Sequence, residues 1–386
     1  MSRPLRILHC PGAVGGNPPA LARAERALGL DSHCAVLRQN WLRYAADEVL
    51  VPPWLRGRPA QIAGEIAAWR LLTRACRTYD LLHLNYGSTL LPALPAWEIP
   101  AGGMPAVLYR RYATMVAGRD LRRLAHAGVA IAVTYQGDDA RQGTVSDQLG
   151  RNLTAIAGPG YYNPASDSAK RTCIATMDRY AARVFFLNPD LARVLPPRAR
   201  FMPYAHVDAR TWTPGAPGDG PLRIVHAPTH RGLKGTAHVH AAVERLRGEG
   251  LAVELDVVEG LPHAEALRRY AVADLLIDQL HIGWYGGLAV ECMALGKAVV
   301  CRLRREDFTC LPPGMADELP VIDAGPDDLA EVLRRLIALG RDGLRDIGAR
   351  SRRYVERWHD PARIASMLAD HYAAAVAETR GKACAE

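Results

Sequence analysis

The sequence predicts an α/β protein made of two similar halves, each a parallel sheet flanked by helices, facing each other across a cleft. Three observations lead there. Short apolar runs alternate with amphipathic stretches along the chain, the pattern of repeated βα units. The alternation breaks at TWTPGAPGDGP (211–221), whose Pro and Gly density without periodicity reads as an inter-domain linker. The length of 386 residues is roughly two to three times that of a usual domain, room for two cores. Sheets of this kind place ligands at the carboxyl ends of their strands, so a site is expected in the cleft between two Rossmann-like domains.

In the first half, Leu5–Cys10 reads as a strand, followed by the loop PGAVGGNPP and a helix over about Ala20–Leu28. Asn17 is placed to cap that helix, with Pro18 and Pro19 in its first turn, where a missing N–H costs nothing. Further strands are expected at His33–Leu37, Asp80–Asn85, Val129–Tyr135, Arg183–Leu187 and Arg200–Met202. The second half restarts at LRIVHA (222–227), and its next helix carries Val239, Ala242, Val243 and Leu246 at i, i+3, i+4 and i+7. Strands are then expected at Ala252–Val258, Ala273–Ile277, Ala298–Cys301 and Pro320–Ile322, and helices at 263–272, 287–295, 327–339 and 343–358. A last helix spans about 361–378. The expected domains are 1–210 and 222–360, joined by the linker 211–221.

Composition narrows the class. With 49% hydrophobic and 23% charged residues the chain is a packed protein rather than a disordered or collagen-like one. Forty-eight basic residues against 40 acidic ones give a net charge of +8, which favours an anionic partner. Lys occurs only at 170, 234, 297 and 382, leaving 44 Arg. The eight cysteines form no C-x-x-C pair and no metal-ligand spacing, and histidines 226, 230, 263 and 281 form no H-E-x-x-H, so no metal is expected. Neither a signal peptide nor a run of 18 apolar residues is found, and a cytoplasmic protein is expected. Aromatic residues make up 6% and no nucleic-acid module is present, which argues against a nucleic-acid partner.

Two segments carry chemistry. In GWYGGLAVECMALGKAVV (283–300) a Gly-rich turn runs into a helix, so that open N–H groups and the positive end of the helix dipole meet where a phosphate could sit. Glu291, one or two turns further on, can accept paired hydrogen bonds from ribose hydroxyls; the plainer alternative is a tight turn with a solvated Glu. In HAPTHRGLKGT (226–236), Arg231 and Lys234 can offer one forked and one point-like cation to a diphosphate, or be surface charges. Neither Asp138 nor Asp139 is marked as a nucleophile, and capping of the following helix is at least as good a reading of both.

Together these two segments resemble the nucleotide-sugar-binding domain of retaining family 4 glycosyltransferases of GT-B fold (glycosyl transferases group 1). The resemblance implies that Arg231 and Lys234 grip the donor diphosphate. ECMALGKAVV resembles the family's E-A-M-A-x-G-x-P-V-V, so that Glu291 matches the second Glu of its E-x7-E element. Gly283 stands where the first Glu would be, whereas Tyr285 and Gly286 match the aromatic and Gly that follow it, leading into Gly287 and Leu288. Asp278 and Gln279, at the end of the strand ADLLIDQ, are candidates to replace the missing Glu. GGNPPALARAERALGL (15–30) looks like the family's first Gly-rich loop, which implies that Gly15 and Gly16 approach the sugar through their backbone. It is not a dinucleotide fingerprint, since Gly12, Gly15 and Gly16 do not follow G-x-G-x-x-G. VTYQGDD (133–139) resembles T-x-H-G-x-D with Gln136 in place of the His, keeping hydrogen-bonding capacity but not titration. The tail RYVERWHDPARIASMLADHYAAA is similar to the family's final helix, which returns to the first domain.

The resemblance implies transfer of a hexose-type sugar from a UDP- or GDP-sugar to an acceptor hydroxyl with retention, in glycan or natural-product biosynthesis, by electrostatic preorganisation and without cofactor or obligatory metal. Alternatives on the same fold are a nucleotide-sugar epimerase and a non-catalytic nucleotide-sugar-binding protein. Residues 55–125 hold ten Arg against four acids, six of the eight net charges. Within them Ile62, Ile66, Trp69, Leu72 and Cys76 make an apolar stripe beside Arg70, Arg74 and Arg77. The stripe is expected to pack on its own sheet; the alternative is peripheral contact with an anionic inner membrane face and a lipid-linked acceptor.

Overall fold

The computed structural model describes residues 3–40, 42–94, 104–215 and 220–383. Residues 216–219 of the expected linker and 95–103 of the basic segment lie outside the described residues.

The first half runs β1 (Arg6–Pro11), α1 (Asn17–Ala27), β2 (Asp31–Val36), β3 (Glu48–Val49), α2 (Gly57–Thr78), β4 (Leu81–Asn85), α3 (Met104–Val116), α4 (Arg119–His126), β5 (Ala130–Tyr135), α5 (Gly143–Gln148), α6 (Leu153–Ala157), α7 (Pro164–Tyr180), β6 (Arg183–Phe186) and β7 (Arg200–Phe201). The second runs β8 (Leu222–His226), α8 (Arg231–Lys234), α9 (Thr236–Gly248), β9 (Val253–Val257), α10 (His263–Ala271), β10 (Leu275–Ile277), α11 (Gly287–Ala294), β11 (Ala298–Cys301), β12 (Ile322–Asp323), α12 (Leu329–Ala338), α13 (Gly340–Trp358) and α14 (Pro361–Ala383).

Both sheets are parallel: seven strands in the order β3-β2-β1-β4-β5-β6-β7, and five in the order β12-β11-β10-β8-β9. Every residue of β4, β5 and β11 is buried, as parallel strands covered on both faces require. Strand order reverses beside β1 in the first sheet and beside β8 in the second, the points where open α/β sheets leave a crevice.

The last helix returns to the first sheet. Tyr372 of α14 stands 2.6 Å from His83 Nδ1 on β4 and donates to Glu25 of α1, while Arg380 pairs with Asp80 and Glu378 with Arg183.

Three local expectations change. Helix α1 begins at Asn17, Gly16 takes the capping position, and Asn17 Oδ1 instead accepts from the Ala205 amide at 2.6 Å, tying α1 to the segment after β7. Asp139 caps no helix: its carboxylate accepts from the amides of Gly87, Gln136 and Gly137, pinning the turn after β5. Helix α2 buries its small-residue face (Ala60, Gly64, Ala67, Ala68, Leu71, Ala75), so of the expected stripe only Leu72 is buried, while Ile62 and Ile66 are 63% and 48% exposed. Small residues allow the helix backbone to approach the sheet, which rotates the larger Ile side chains outward.

Candidate active site

A cavity of about 480 Å³ lies between the halves, at the carboxyl ends of the strands of both sheets. The first half contributes Gly15 after β1 and Gln136 and Asp138 after β5; the second contributes Lys234, Gln279, the turn Gly286–Gly287, Leu288 and Glu291.

The Gly-rich turn is held from below. Asp278, with a fully buried side chain, accepts from the Gly286 amide at 2.7 Å with one oxygen and from Lys234 Nζ at 2.7 Å with the other. One carboxylate thus shapes the turn and aims the lysine, whose ammonium lies 3.6 Å from where a Gly286 Cβ would stand. Asp278 is therefore a foundation of the site and not part of its lining. The Gly287 and Leu288 amides find no acceptor among the described residues, and no side chain caps α11. Two open N–H groups, the helix dipole and an ammonium share one corner, the arrangement that suits a phosphate.

Glu291 lies one turn into α11, 2% exposed, at the edge of this cavity. It accepts from His263 Nε2 at 2.7 Å and more weakly from the Tyr44 hydroxyl at 3.4 Å, with His206 Nε2 at 3.5 Å. Burial pushes its carboxyl up, but the hydrogen bonds from His206 and His263 outweigh this and hold it below the ordinary carboxylate range. An ionised acceptor is thus kept in a dry corner. Tyr44 comes from the first half, its ring against His263 at 4.6 Å. That close approach needs Gly16, which has φ +70° and where a Cβ would meet the Tyr44 ring at 2.7 Å. Gly16 therefore serves Tyr44 and does not line the cavity.

The first-half wall is polar, and its charges are paired among themselves. Asp138 accepts from Arg141, Tyr161 and Tyr162, and Arg141 also binds Asp190. Burial raises the Asp138 carboxyl, yet Arg141 and the two tyrosine hydroxyls bring it below its usual value. Gln136 is fixed by its backbone, whose N–H goes to Asp139 and whose carbonyl accepts from Asn188. Its Nε2 is buried without a partner and its Oε1 lies 4.0 Å from the Cβ position of Gly15. The side-chain oxygen thus faces the loop after β1, and the amide donor is left open among the described residues.

Two further sequence candidates, Arg231 and Tyr285, stand outside the lining, and Gly283 explains the missing Glu. The Arg231 guanidinium is 66% exposed and paired with Glu259 beyond β9, outside the lining. Tyr285 is fully buried behind the turn, stacked on Trp284 at 4.2 Å, with its hydroxyl 2.9 Å from His359 Nε2. Gly283 has φ +98°, and a Cβ there would come within 2.4 Å of the Arg304 side chain, so a Glu at this position meets both backbone strain and a steric block. Conversely, His263 and Tyr44 are site residues that no sequence motif marks. Histidine 226 is structural, bonded to the Ile277 carbonyl and Thr236.

No family model matches the sequence, and no curated protein matches it. Solved structures do. A sucrose-phosphate synthase from Thermosynechococcus elongatus superposes with a TM-score of 0.58 at 17% identity, over 97% of this chain and 100% of that one. WaaG, a glycosyltransferase involved in lipopolysaccharide biosynthesis, gives 0.56 at 13% identity over 95% and 99% of the two chains. An α-glucosyltransferase in complex with UDP and a 13-mer DNA gives 0.53 at 10% identity over 96% and 100%. The two facing parallel α/β domains and these likenesses establish the GT-B fold.

Proposed function

We propose that the chain is a glycosyltransferase that binds a nucleotide diphosphate sugar in the cleft and moves a hexose-type sugar to an acceptor hydroxyl with retention of configuration. One observation carries the reading: the Gly287 and Leu288 amides, the Lys234 ammonium and the Glu291 carboxylate converge on one cavity. Glu291 stands four residues after Gly287, about 6 Å along the helix axis, a spacing that suits a diphosphate at the helix end and ribose hydroxyls at the carboxylate. The structural neighbour that holds UDP supports a donor of this class.

In this reading Lys234 and the α11 amides carry the charge that develops on the leaving diphosphate, with no metal required. Arg231 becomes the second cation on leaving Glu259. Gln136 and the Gly15 backbone face the sugar from the opposite wall, and the acceptor enters on that side. The exposed Ile62 and Ile66 of α2 and Leu108 and Met115 of α3, beside exposed Arg70 and Arg111, suit a lipid-linked acceptor at an anionic membrane face. Among the described residues no helix is long and apolar enough to cross a membrane.

Incubation with UDP-, GDP- and TDP-sugars tests the proposal. One donor is expected to raise the unfolding temperature and, with an acceptor, to yield product of unchanged anomeric configuration by NMR. A response to none of them sinks the reading. Thermal protection without turnover over a broad acceptor panel turns it into a non-catalytic binding protein, a reading to which Gly283 lends weight. Conversion of donor to free nucleotide and sugar product without acceptor makes the chain an epimerase. Vesicle flotation tests the membrane contact: salt-sensitive binding to anionic vesicles is expected, and no bound protein at low salt removes it.

A further inference from the structure

A second hollow, of about 670 Å³, lies at the amino-terminal edge of the second sheet, on the far side from the cleft. It is bounded by Pro214 and Gly215 of the segment joining the two sheets, by the Gly296–Lys297 turn before β11, and by one face of α13. Five cations line it, Lys297, Arg341, Arg345, Arg352 and Arg353, against two carboxylates, Asp274 and Glu356.

Internal pairing accounts for three of the five. Arg341 binds Asp274, Arg345 binds Asp342, and Arg352 binds Glu356 together with three backbone carbonyls. Arg353 and Lys297 are different. Arg353 is exposed on α13 and makes no ion pair among the described residues. Lys297 is 2% exposed, donates to the Gly215 carbonyl at 2.8 Å, and has no carboxylate within ion-pair distance among the described residues. Burial pulls its pKa from the ordinary lysine value down to about 8, offset only in part by Cys292 and Asp274. A buried charge left without a counter-charge is costly, and natural proteins resolve that cost by pairing. Lys297 lines a cavity whose rim also carries four guanidinium groups, the group whose fork matches phosphate oxygens, against the carboxylates of Asp274 and Glu356.

We propose that this hollow is a binding site for a small phosphate-bearing anion, held by Lys297 and Arg353 and seated against Pro214 and Gly215. The inference stands on this surface alone and is independent of what the cleft binds.

Isothermal titration of the full chain with inorganic phosphate and with pyrophosphate at low salt tests it, with chloride at matched ionic strength as control. Because the cleft also suits a diphosphate, Lys234→Ala separates the two sites. Saturable binding is expected that Lys234→Ala leaves within about twofold, that Arg353→Gln weakens about three- to fivefold, and that Lys297→Met weakens at least about tenfold. Arg353 is exposed and makes no ion pair among the described residues, so Arg353→Gln keeps the test valid if Lys297→Met does not fold. Binding unchanged in Arg353→Gln and in folded Lys297→Met, binding lost in Lys234→Ala, or an equal response to chloride each overturns the proposal.

Discussion

The two walls of the cleft follow opposite plans. On the second half, charge is presented: Lys234 is aimed by Asp278, α11 offers open amides, and Glu291 is held ionised. On the first half, charge is tied up in internal pairs, since Arg141 bridges Asp138 and Asp190, and Gln136 offers only a neutral amide. A wall of fixed charges can bind and stabilise an anion, whereas a wall of neutral donors can orient a sugar without competing for it. Under the proposed function, the diphosphate belongs to one side, and selectivity for sugar and acceptor to the other.

The largest expected effect tests that division directly. Lys234→Ala should lower kcat/KM for the donor by about 10²- to 10³-fold, about 3–4 kcal/mol, if the ammonium stabilises charge developing in the transition state. Arg231→Ala should cost activity as well, but less, since its partner Glu259 must first be released. Gln136→Ala should cost no more than about tenfold, the loss of one neutral hydrogen bond of about 1.4 kcal/mol. Thermal melts check that the variants fold. Equal losses in Lys234→Ala and Gln136→Ala, or near wild-type activity in both cation variants, would break the comparison.

Strands of both halves, apart from the two-residue β3, were legible to within one or two residues, because short apolar runs bounded by Gly, Pro or charge have little freedom of assignment. Lys234 and Glu291 were legible because a lysine between glycines and a carboxylate just inside a helix act locally. Tyr44 and His263 were not: they reach Glu291 across 247 and 28 residues, by tertiary contact that no spacing encodes. Arg231 reads as the twin of Lys234 in sequence, yet Glu259 at the next strand's end draws it outward. The inward stripe expected on α2 failed because the helix buries Ala and Gly instead of its larger apolar residues. In each case a partner distant in sequence overrode a sound local pattern.

A second, smaller effect probes the support behind the charged wall. His359 is fully buried, its Nδ1 2.9 Å from the Tyr204 carbonyl and its Nε2 against Tyr285, and burial drives its pKa down to about 3. The folded chain keeps this histidine neutral while the unfolded chain takes up a proton near pH 6.5. Its contribution is therefore fully present above pH 6.5 and is lost progressively as the pH falls toward 3. The slope is at most about 1.4 kcal/mol per pH unit, so about 2 kcal/mol disappears between pH 6.5 and 5. Urea unfolding at pH 7 and pH 5 measures this, and His359→Gln, which cannot titrate, should show a shallower loss. His83 on the first half is depressed by burial in the same direction, so part of the acid sensitivity survives in the variant.

The smallest effect is the most diagnostic for how the walls meet. Tyr44 crosses from the first half to within 3.4 Å of Glu291, a long hydrogen bond, while its ring is fixed by Gly16 and His263. Tyr44→Phe keeps the ring contacts and removes only the hydroxyl. If ribose hydroxyls take the place of that hydroxyl on Glu291, the variant relieves a competitor worth about 0.5–1 kcal/mol, and KM for the donor should fall about two- to fivefold with kcat unchanged. If Tyr44 instead bonds the bound donor, the same substitution raises KM. The sign of a small change thus decides whether the first half closes over the donor as a ligand or withdraws as a placeholder. A rise would move Tyr44 to the charged wall's side of the comparison.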